Sequence, residues 1–120
     1  MFKIVKDTFY PFPVDVKIPN DRLPGQFVTH RFDVQFRVLS TSERDQLLQQ
    51  AVGGFDKALV ERVVCGWADG EIVDAEGAPM PFTPENLALV CEDPRVLGAI
   101  VEAYRRSVQG EAVQHRRAGN

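Results

Sequence analysis

The sequence predicts an α+β domain in which an N-terminal antiparallel β-hairpin packs on a small bundle of three to four C-terminal helices. Apolar and polar residues alternate in the first third of the chain, whereas later apolar residues recur at helical spacing behind capping signals. A chain of 120 residues supplies one core and is too short for two. We therefore expect a single domain over residues 1–110, followed by a flexible tail at 111–120.

The strand pattern covers residues 13–40. Val14, Val16 and Ile18 alternate with polar residues, a turn-rich stretch follows at 20–25, and apolar residues then recur at every second position over 28–38. One face of this hairpin should be buried and the other solvated. Because a two-stranded ribbon is marginal alone, helices or another chain must cover its apolar face.

The first two helices follow the hairpin. Ser40 and Glu43 have the spacing of a capping box, and the glycine pair at 53–54 ends the helix that starts there. A second helix is predicted over about residues 55–65, although the valines in this segment would also suit a strand.

Two further helices are predicted after an extended connection at residues 67–82, which is rich in glycine and proline. Thr83 and Asp93 are each an N-cap residue followed by proline at the first helical position. The third helix should run over about residues 84–92, and the fourth should end at Gly110.

Bulk composition excludes several classes of protein. A net charge of −3 disfavours a protein whose main task is binding nucleic acid. No segment has the roughly 18 consecutive apolar residues that span a membrane, and the first residues lack an apolar signal core, so we expect a cytoplasmic protein. The two cysteines should be reduced and mostly buried.

Charge is unevenly distributed along the chain. Residues 68–93 contain seven acids and no Lys or Arg, whereas residues 94–120 contain five Arg and two Glu. These regions could pair within one molecule or join neighbouring copies head to tail. The alternative is ordinary solvated surface charge without a partner.

Catalytic and metal-binding patterns are weak. A cysteine nucleophile needs a preorganised base, but His30 lies in the apolar-facing register of a predicted strand and His115 lies in the tail. Cys65 and Cys91 are too far apart in sequence for a typical structural zinc motif. The sequence therefore predicts a protein that is not an enzyme and has no catalytic or metal-binding residues.

The acids at Asp69, Glu71, Asp74 and Glu76 superficially resemble a calcium loop. Their spacing does not match the twelve-residue EF-hand pattern, and solvated acids are the better interpretation. Phosphate-cradling glycine motifs are also absent from the sequence. We therefore expect no cofactor.

Trp67 is the only tryptophan. It could be a core anchor that fixes the following loop, or an exposed contact residue for a partner protein. Phe82, shortly before the third helix, should have a structural role first.

Three consecutive runs, Val64–Trp67, Asp69–Gly77 and Pro79–Leu87, carry a family resemblance. They contain a Gly-Trp pair, an acidic loop ending in Glu-Gly, a Pro-x-Pro-Phe-Thr segment and a Glu-Asn-Leu helix start. In the last helix, Ala99, Ala103 and Tyr104 match the expected final element. This ordered succession resembles the tail assembly chaperones of siphophages over roughly residues 28–106.

The resemblance implies a protein-binding role without catalytic residues. Such chaperones coat the long tape measure protein, keep it soluble, bring tail-tube subunits to it, and are absent from the mature virion. The chain would be the short form, acting in the cytoplasm of the infected bacterial host. A longer form made by translational frameshifting would contact the tail-tube protein. Homo-oligomers forming a ring or spiral would suit a rod-shaped partner.

The predicted protein-binding residues fall in the acidic segment and the last helix: Trp67, Asp69, Glu71, Asp74, Glu76, Phe82, Tyr104, Arg105 and Arg106. The alternative function is a small acidic inhibitor or immunity-type protein, which would use the same acids to block an enzyme.

Overall fold

The protein has an α+β fold with a three-stranded antiparallel sheet and four helices, which confirms the predicted class. The computed structural model describes residues 1–4 and 8–111; apart from Glu111, the predicted tail lies outside this range. The elements in chain order are β1 (Phe9–Pro19), β2 (Phe27–Arg37), α1 (Thr41–Gln50), α2 (Phe55–Val63), β3 (Val64–Gly66), α3 (Pro84–Val90) and α4 (Pro94–Val108).

Strands β1 and β2 form the predicted hairpin. Their register runs without interruption from the Phe9–Arg37 pair to the Pro19–Phe27 pair. In the connecting turn, Oδ1 of Asn20 accepts the amide hydrogens of Arg22 at 2.8 Å and Leu23 at 3.2 Å. This side-chain bonding to nearby amides is the turn chemistry that the sequence predicts.

β1 begins at Phe9, earlier than the predicted start at residue 13. The added residues include Pro11, and proline normally weakens a strand assignment because it cannot donate a ladder hydrogen bond. Here Pro11, Pro13 and Pro19 all occupy alternate positions of a strand at the edge of the sheet. At these positions the backbone nitrogen, which carries no hydrogen, points away from β2. The free edge of β1 therefore lacks these N–H donors and is poorly suited to pair with another strand.

The third strand is absent from the prediction. Helix α2 ends at Val63, and the next three residues pair with β2 through the Val64–Phe36 and Gly66–Gln35 pairs. The valine-rich segment therefore contains both a helix and a strand. Pairing with β2, a distant part of the chain, determines where α2 ends and β3 begins.

The predicted helix starts are confirmed. Ser40 Oγ accepts the Glu43 amide hydrogen at 3.1 Å, and Glu43 Oε1 accepts the Ser40 amide hydrogen at 3.2 Å, which completes the capping box. Thr83 and Asp93 cap α3 and α4, each ahead of a proline. The glycine pair at 53–54 has φ angles of 93° and 115°, values open mainly to glycine, and it separates α1 from α2.

The core lies between the sheet and the helices. Its fully buried side chains come from both strands of the hairpin, α2 and α4: Val14, Val34, Phe36, Val60, Val63 and Ile100. α4 packs across β1 and also contacts α2.

The turn end of the hairpin is less covered than the core end. His30 lies in the inward register, as predicted, but it is exposed. At the turn end of the hairpin, a side chain on the core-facing side of the strand is therefore not necessarily buried.

Candidate functional site

The acidic loop, defined as residues 67–82, is built around Trp67. The indole is 7% exposed, and its Nε1 donates a hydrogen bond to the carbonyl oxygen of Met80 at 2.8 Å. The ring meets Phe82 edge to face, with 4.9 Å between the ring centroids. Trp67 and Phe82 thus fasten the two ends of the loop together, which favours the core-anchor interpretation of Trp67 over the contact-residue interpretation.

Asp74 organises the tip of the acidic loop. Its Oδ1 accepts the amide hydrogens of Glu76 at 3.0 Å and Ala78 at 2.9 Å. Backbone bonds from Asp74 to Ala78 and from Met80 to Ile72 close the loop around it. The Asp74 carboxylate therefore has an internal role in a turn.

Glu71 links the acidic loop to the sheet. Its Oε2 accepts the amide hydrogen of Asp33 at 3.3 Å, on the side of β2 that faces away from β1. The side chains of Asp69 and Glu76 are exposed at the surface of the loop. Of the four predicted acids, Asp69 and Glu76 are therefore the better placed to meet a partner.

The segment that joins the acidic loop to α3 is also held by internal contacts. Thr83 Oγ1 accepts the Asn86 amide hydrogen at 3.0 Å, and the Asn86 side-chain amide donates to the Pro81 carbonyl oxygen at 2.8 Å. The Pro-Phe-Thr-Pro-Glu-Asn run thus has a clear folding role, namely to cap α3 and hold it against the loop.

A second candidate surface is an open, mainly apolar groove of about 410 Å³ between α1, α2 and α4. We call it the helix groove. Its apolar lining comes from Leu39, Phe55, Leu59, Val101, Tyr104 and Val108. Ser40, Thr41, Arg44, Arg105 and Gln109 complete it. An apolar groove between helices is a typical place for an apolar segment of another protein to bind.

Tyr104 holds the base of the helix groove in place. Its hydroxyl accepts the Leu39 amide hydrogen at 3.1 Å, and its ring packs on Phe36 with 5.7 Å between centroids. The predicted contact residue therefore does line a groove, while also joining α4 to the end of β2.

The two predicted arginines of α4 differ in position. Arg105 lines the helix groove and forms ion pairs with Glu102 and, at 3.3 Å, with Glu111. Arg106 is partly buried and does not line this groove. The structure thus brings Tyr104 and Arg105 together in the groove and places the six predicted loop residues elsewhere.

Sequence reasoning missed the aliphatic part of the helix groove. Val101 and Val108 lie on α4 beside the residues that reach the core, and Val108 is 49% exposed. The signal was present as an apolar stripe on this helix that is wider than its buried part. The contributions of Leu39 and Phe55 depend on tertiary packing and have no local signal.

The two thiols lie in different environments. Cys91 is buried, and burial raises the pKa of its thiol. Cys65 is exposed, so the expectation that both cysteines are mostly buried is wrong for Cys65. The reason is strand alternation: in β3 the Val64 side chain turns inward and the next residue turns outward.

Over residues 1–4 and 8–111, no group of three or more His, Cys, Asp or Glu side chains is arranged to hold a metal ion. No helix in the same part of the chain combines the length and apolar character needed to cross a membrane.

Comparisons of the chain with known protein families, curated proteins and solved structures find no match.

Proposed function

We propose that this protein is a phage tail assembly chaperone that binds the tape measure protein, keeps it soluble and helps to recruit tail-tube subunits. It has no catalytic centre in this proposal. The observation that carries the proposal is the ordered succession of residues from Val64 to Leu87, together with Tyr104 in the last helix. The protein acts in the cytoplasm of the infected host and is absent from the mature virion.

The helix groove supports a protein-binding role. A tape measure protein is a long helical rod whose apolar seams are exposed before the tail tube encloses it. A groove lined by aliphatic and aromatic side chains from α2, α4 and Leu39 can accept such a seam. Many copies bound along one rod would cover it even if each contact were weak.

Self-association into a ring or spiral is part of the proposal, because copies that contact one another can follow the length of the rod. The exposed acids of the loop and the basic end of α4 can contribute to this contact. Arg105 already pairs with acids near its own position, so the electrostatic contribution should be small. We expect oligomers to become somewhat smaller at high ionic strength, as measured by light scattering.

Co-expression tests the proposal. The protein is produced together with the long helical tape measure protein encoded near its gene, and the soluble fraction of that partner is measured. An unrelated small acidic protein is the control. We expect more soluble tape measure protein only with this chain. A partner that stays insoluble in both cases would contradict the proposal.

The exposed carboxylates of Asp69 and Glu76 favour a second candidate, a small inhibitor of a basic enzyme. This candidate predicts tight binding to a toxin or enzyme encoded next to its gene. The double substitution Asp69→Asn with Glu76→Gln should then slow association, measured by surface plasmon resonance at low salt. Unchanged association rates would count against the inhibitor hypothesis.

A further inference from the structure

The segment Met1–Ile4, which we call the arm, exposes apolar side chains to solvent. Phe2 and Ile4 are 89% and 88% exposed, and Met1 is fully exposed. In an extended conformation Phe2 and Ile4 project to one side and Lys3 to the other. Such a segment can place two apolar side chains in a groove while its charged residue remains in water.

The strand that follows the arm begins close to the helix groove. Phe9 pairs with Arg37, two residues before the groove residue Leu39. Tyr10 Oη lies 2.8 Å from Oγ of Ser107, which is adjacent to the groove residue Val108. β1 therefore starts at the α4 end that borders the groove.

The length of the arm suits the size of the helix groove. Phe9 lies seven positions after Phe2, and a fully extended chain advances about 3.3 Å per residue, which gives a maximum reach of roughly 23 Å. Along α4 the groove extends from Val101 to Val108, which corresponds to about 10 Å at 1.5 Å per residue. This reach exceeds the length of the groove along α4, so Phe2 and Ile4 can both lie within a groove of this size.

The arm and the helix groove do not meet within one chain. Phe2 and Ile4 remain exposed while the groove is open. Among residues 1–4 and 8–111, one copy therefore presents an exposed apolar arm and an open apolar groove that do not contact each other. In a pair of copies, the arm of one can pack in the groove of the other.

We propose that the arm of one copy docks in the helix groove of a second copy, with Phe2 and Ile4 packed against the aliphatic lining. The inference deepens the proposed self-association and rests on it. Because the arm and the groove are different surfaces, the contact is heterologous and can extend from copy to copy. A tape measure segment that enters the same groove would displace the arm, so arm docking describes the protein free of the tape measure protein.

Size-exclusion chromatography with light scattering tests the proposal on the full chain. The arm variant carries Phe2→Ser and Ile4→Ser, and the groove variant carries Val108→Glu. A second groove variant, Thr41→Trp, fills the groove from its exposed rim in case Val108→Glu fails to fold. Leu89→Ser is the matched control, because Leu89 is 62% exposed on α3 and does not line the groove.

We expect the wild type and the Leu89→Ser control to elute as oligomers, and each arm or groove variant to elute as a monomer. A mixture of the arm variant with a groove variant should form a one-to-one dimer, since one partner retains a groove and the other an arm. Oligomers that survive both kinds of substitution, or a monomeric wild type, would overturn the docking proposal. Tape measure solubility in the co-expression assay reports on the proposed function separately.

Discussion

The acidic loop and the helix groove differ in how their side chains are used. In the acidic loop, Trp67 donates to a backbone carbonyl and Asp74 accepts two amides, so both residues hold the loop together. In the helix groove, Val101 and Val108 present apolar surface to solvent. The loop is conspicuous in the sequence, but the Trp67 and Asp74 side chains are used in internal contacts, whereas the groove presents apolar side chains to solvent.

This difference shows that residues which stand out in a sequence can serve to stabilise the fold and need not bind a partner. Here the lone tryptophan anchors a tight loop, and one acid of the run, Asp74, accepts two amide hydrogens within it. A docking groove can be assembled from common residues such as Leu39, Leu59 and Val101, contributed by separate parts of the chain. If the two regions divide these tasks, substitutions in the loop should lower stability and substitutions in the groove should lower partner binding.

The largest expected effect follows from replacing the loop anchor. Trp67→Ala removes a buried ring and should destabilise the protein by about 3–5 kcal/mol in urea unfolding. Trp67→Phe is the control: it retains most of the ring and loses the hydrogen bond to Met80, at a cost of about 1–3 kcal/mol. If Trp67→Ala is as stable as the wild type but loses partner binding, Trp67 is a contact residue after all.

The next effect compares two acids of the same loop. Asp74→Ala removes the acceptor of two amide hydrogens and should cost about 1 kcal/mol in the same unfolding assay. Asp69→Ala, at an exposed position, should change stability by less than about 0.5 kcal/mol. Equal effects of the two substitutions would remove the distinction between structural and surface acids in this loop.

Much of the fold could be predicted from local sequence. The capping box at Ser40 and the Thr83-Pro84 and Asp93-Pro94 pairs give helix starts at the observed positions, because capping depends on residues only two or three positions apart. The hairpin follows from alternation of apolar residues over its two strands.

The missed features depend on contacts between distant residues. β3 forms because Val64 pairs with Phe36, and no local pattern distinguishes it from the end of α2. The early start of β1 at Phe9 is possible because an edge strand tolerates prolines. Of the candidate site, Tyr104 and Arg105 are predicted from the sequence as protein-binding residues and lie in the helix groove, whereas the lining from Leu39 and Phe55 requires the folded structure.

The carboxylate of Asp93 lies outside both the acidic loop and the helix groove, and its ion pair can be tested by acid titration. The hydrogen bond from the Arg95 side chain lowers the pKa of Asp93 to about 2, and the Arg95 amide hydrogen adds to this effect. Because the pKa of Asp93 is lower in the folded state than in the unfolded state, its ionised carboxylate stabilises the folded protein. This contribution is complete above about pH 4 and is lost as the pH falls toward 2. NMR titration of the Asp93 carboxyl carbon measures the midpoint.

Asp93→Asn is the control for that titration. It should flatten the part of the stability–pH curve between about pH 4 and pH 2 that Asp93 contributes. A midpoint for Asp93 near the ordinary aspartate pKa of about 3.9 would show that the carboxylate is not held by Arg95 in solution.

The smallest expected stability effect concerns the helix groove. Val108→Ser and Leu89→Ser remove partly exposed apolar side chains, so each should change the unfolding free energy of the monomer by no more than about 0.5 kcal/mol, measured at low protein concentration. Partner binding should fall only with Val108→Ser, as measured by calorimetry. A large loss of monomer stability with Val108→Ser would mean that the groove surface is already part of the core.

Native mass spectrometry of the complex co-purified with the tape measure protein counts the copies of this chain that are bound to one rod. The proposed chaperone function predicts several copies of this chain on each tape measure molecule. It also predicts fewer copies for the Val108→Glu variant and an unchanged number for Leu89→Ser. A tape measure protein that carries no copy, or a copy number unaffected by Val108→Glu, would contradict the view that this protein acts by covering a partner through its helix groove.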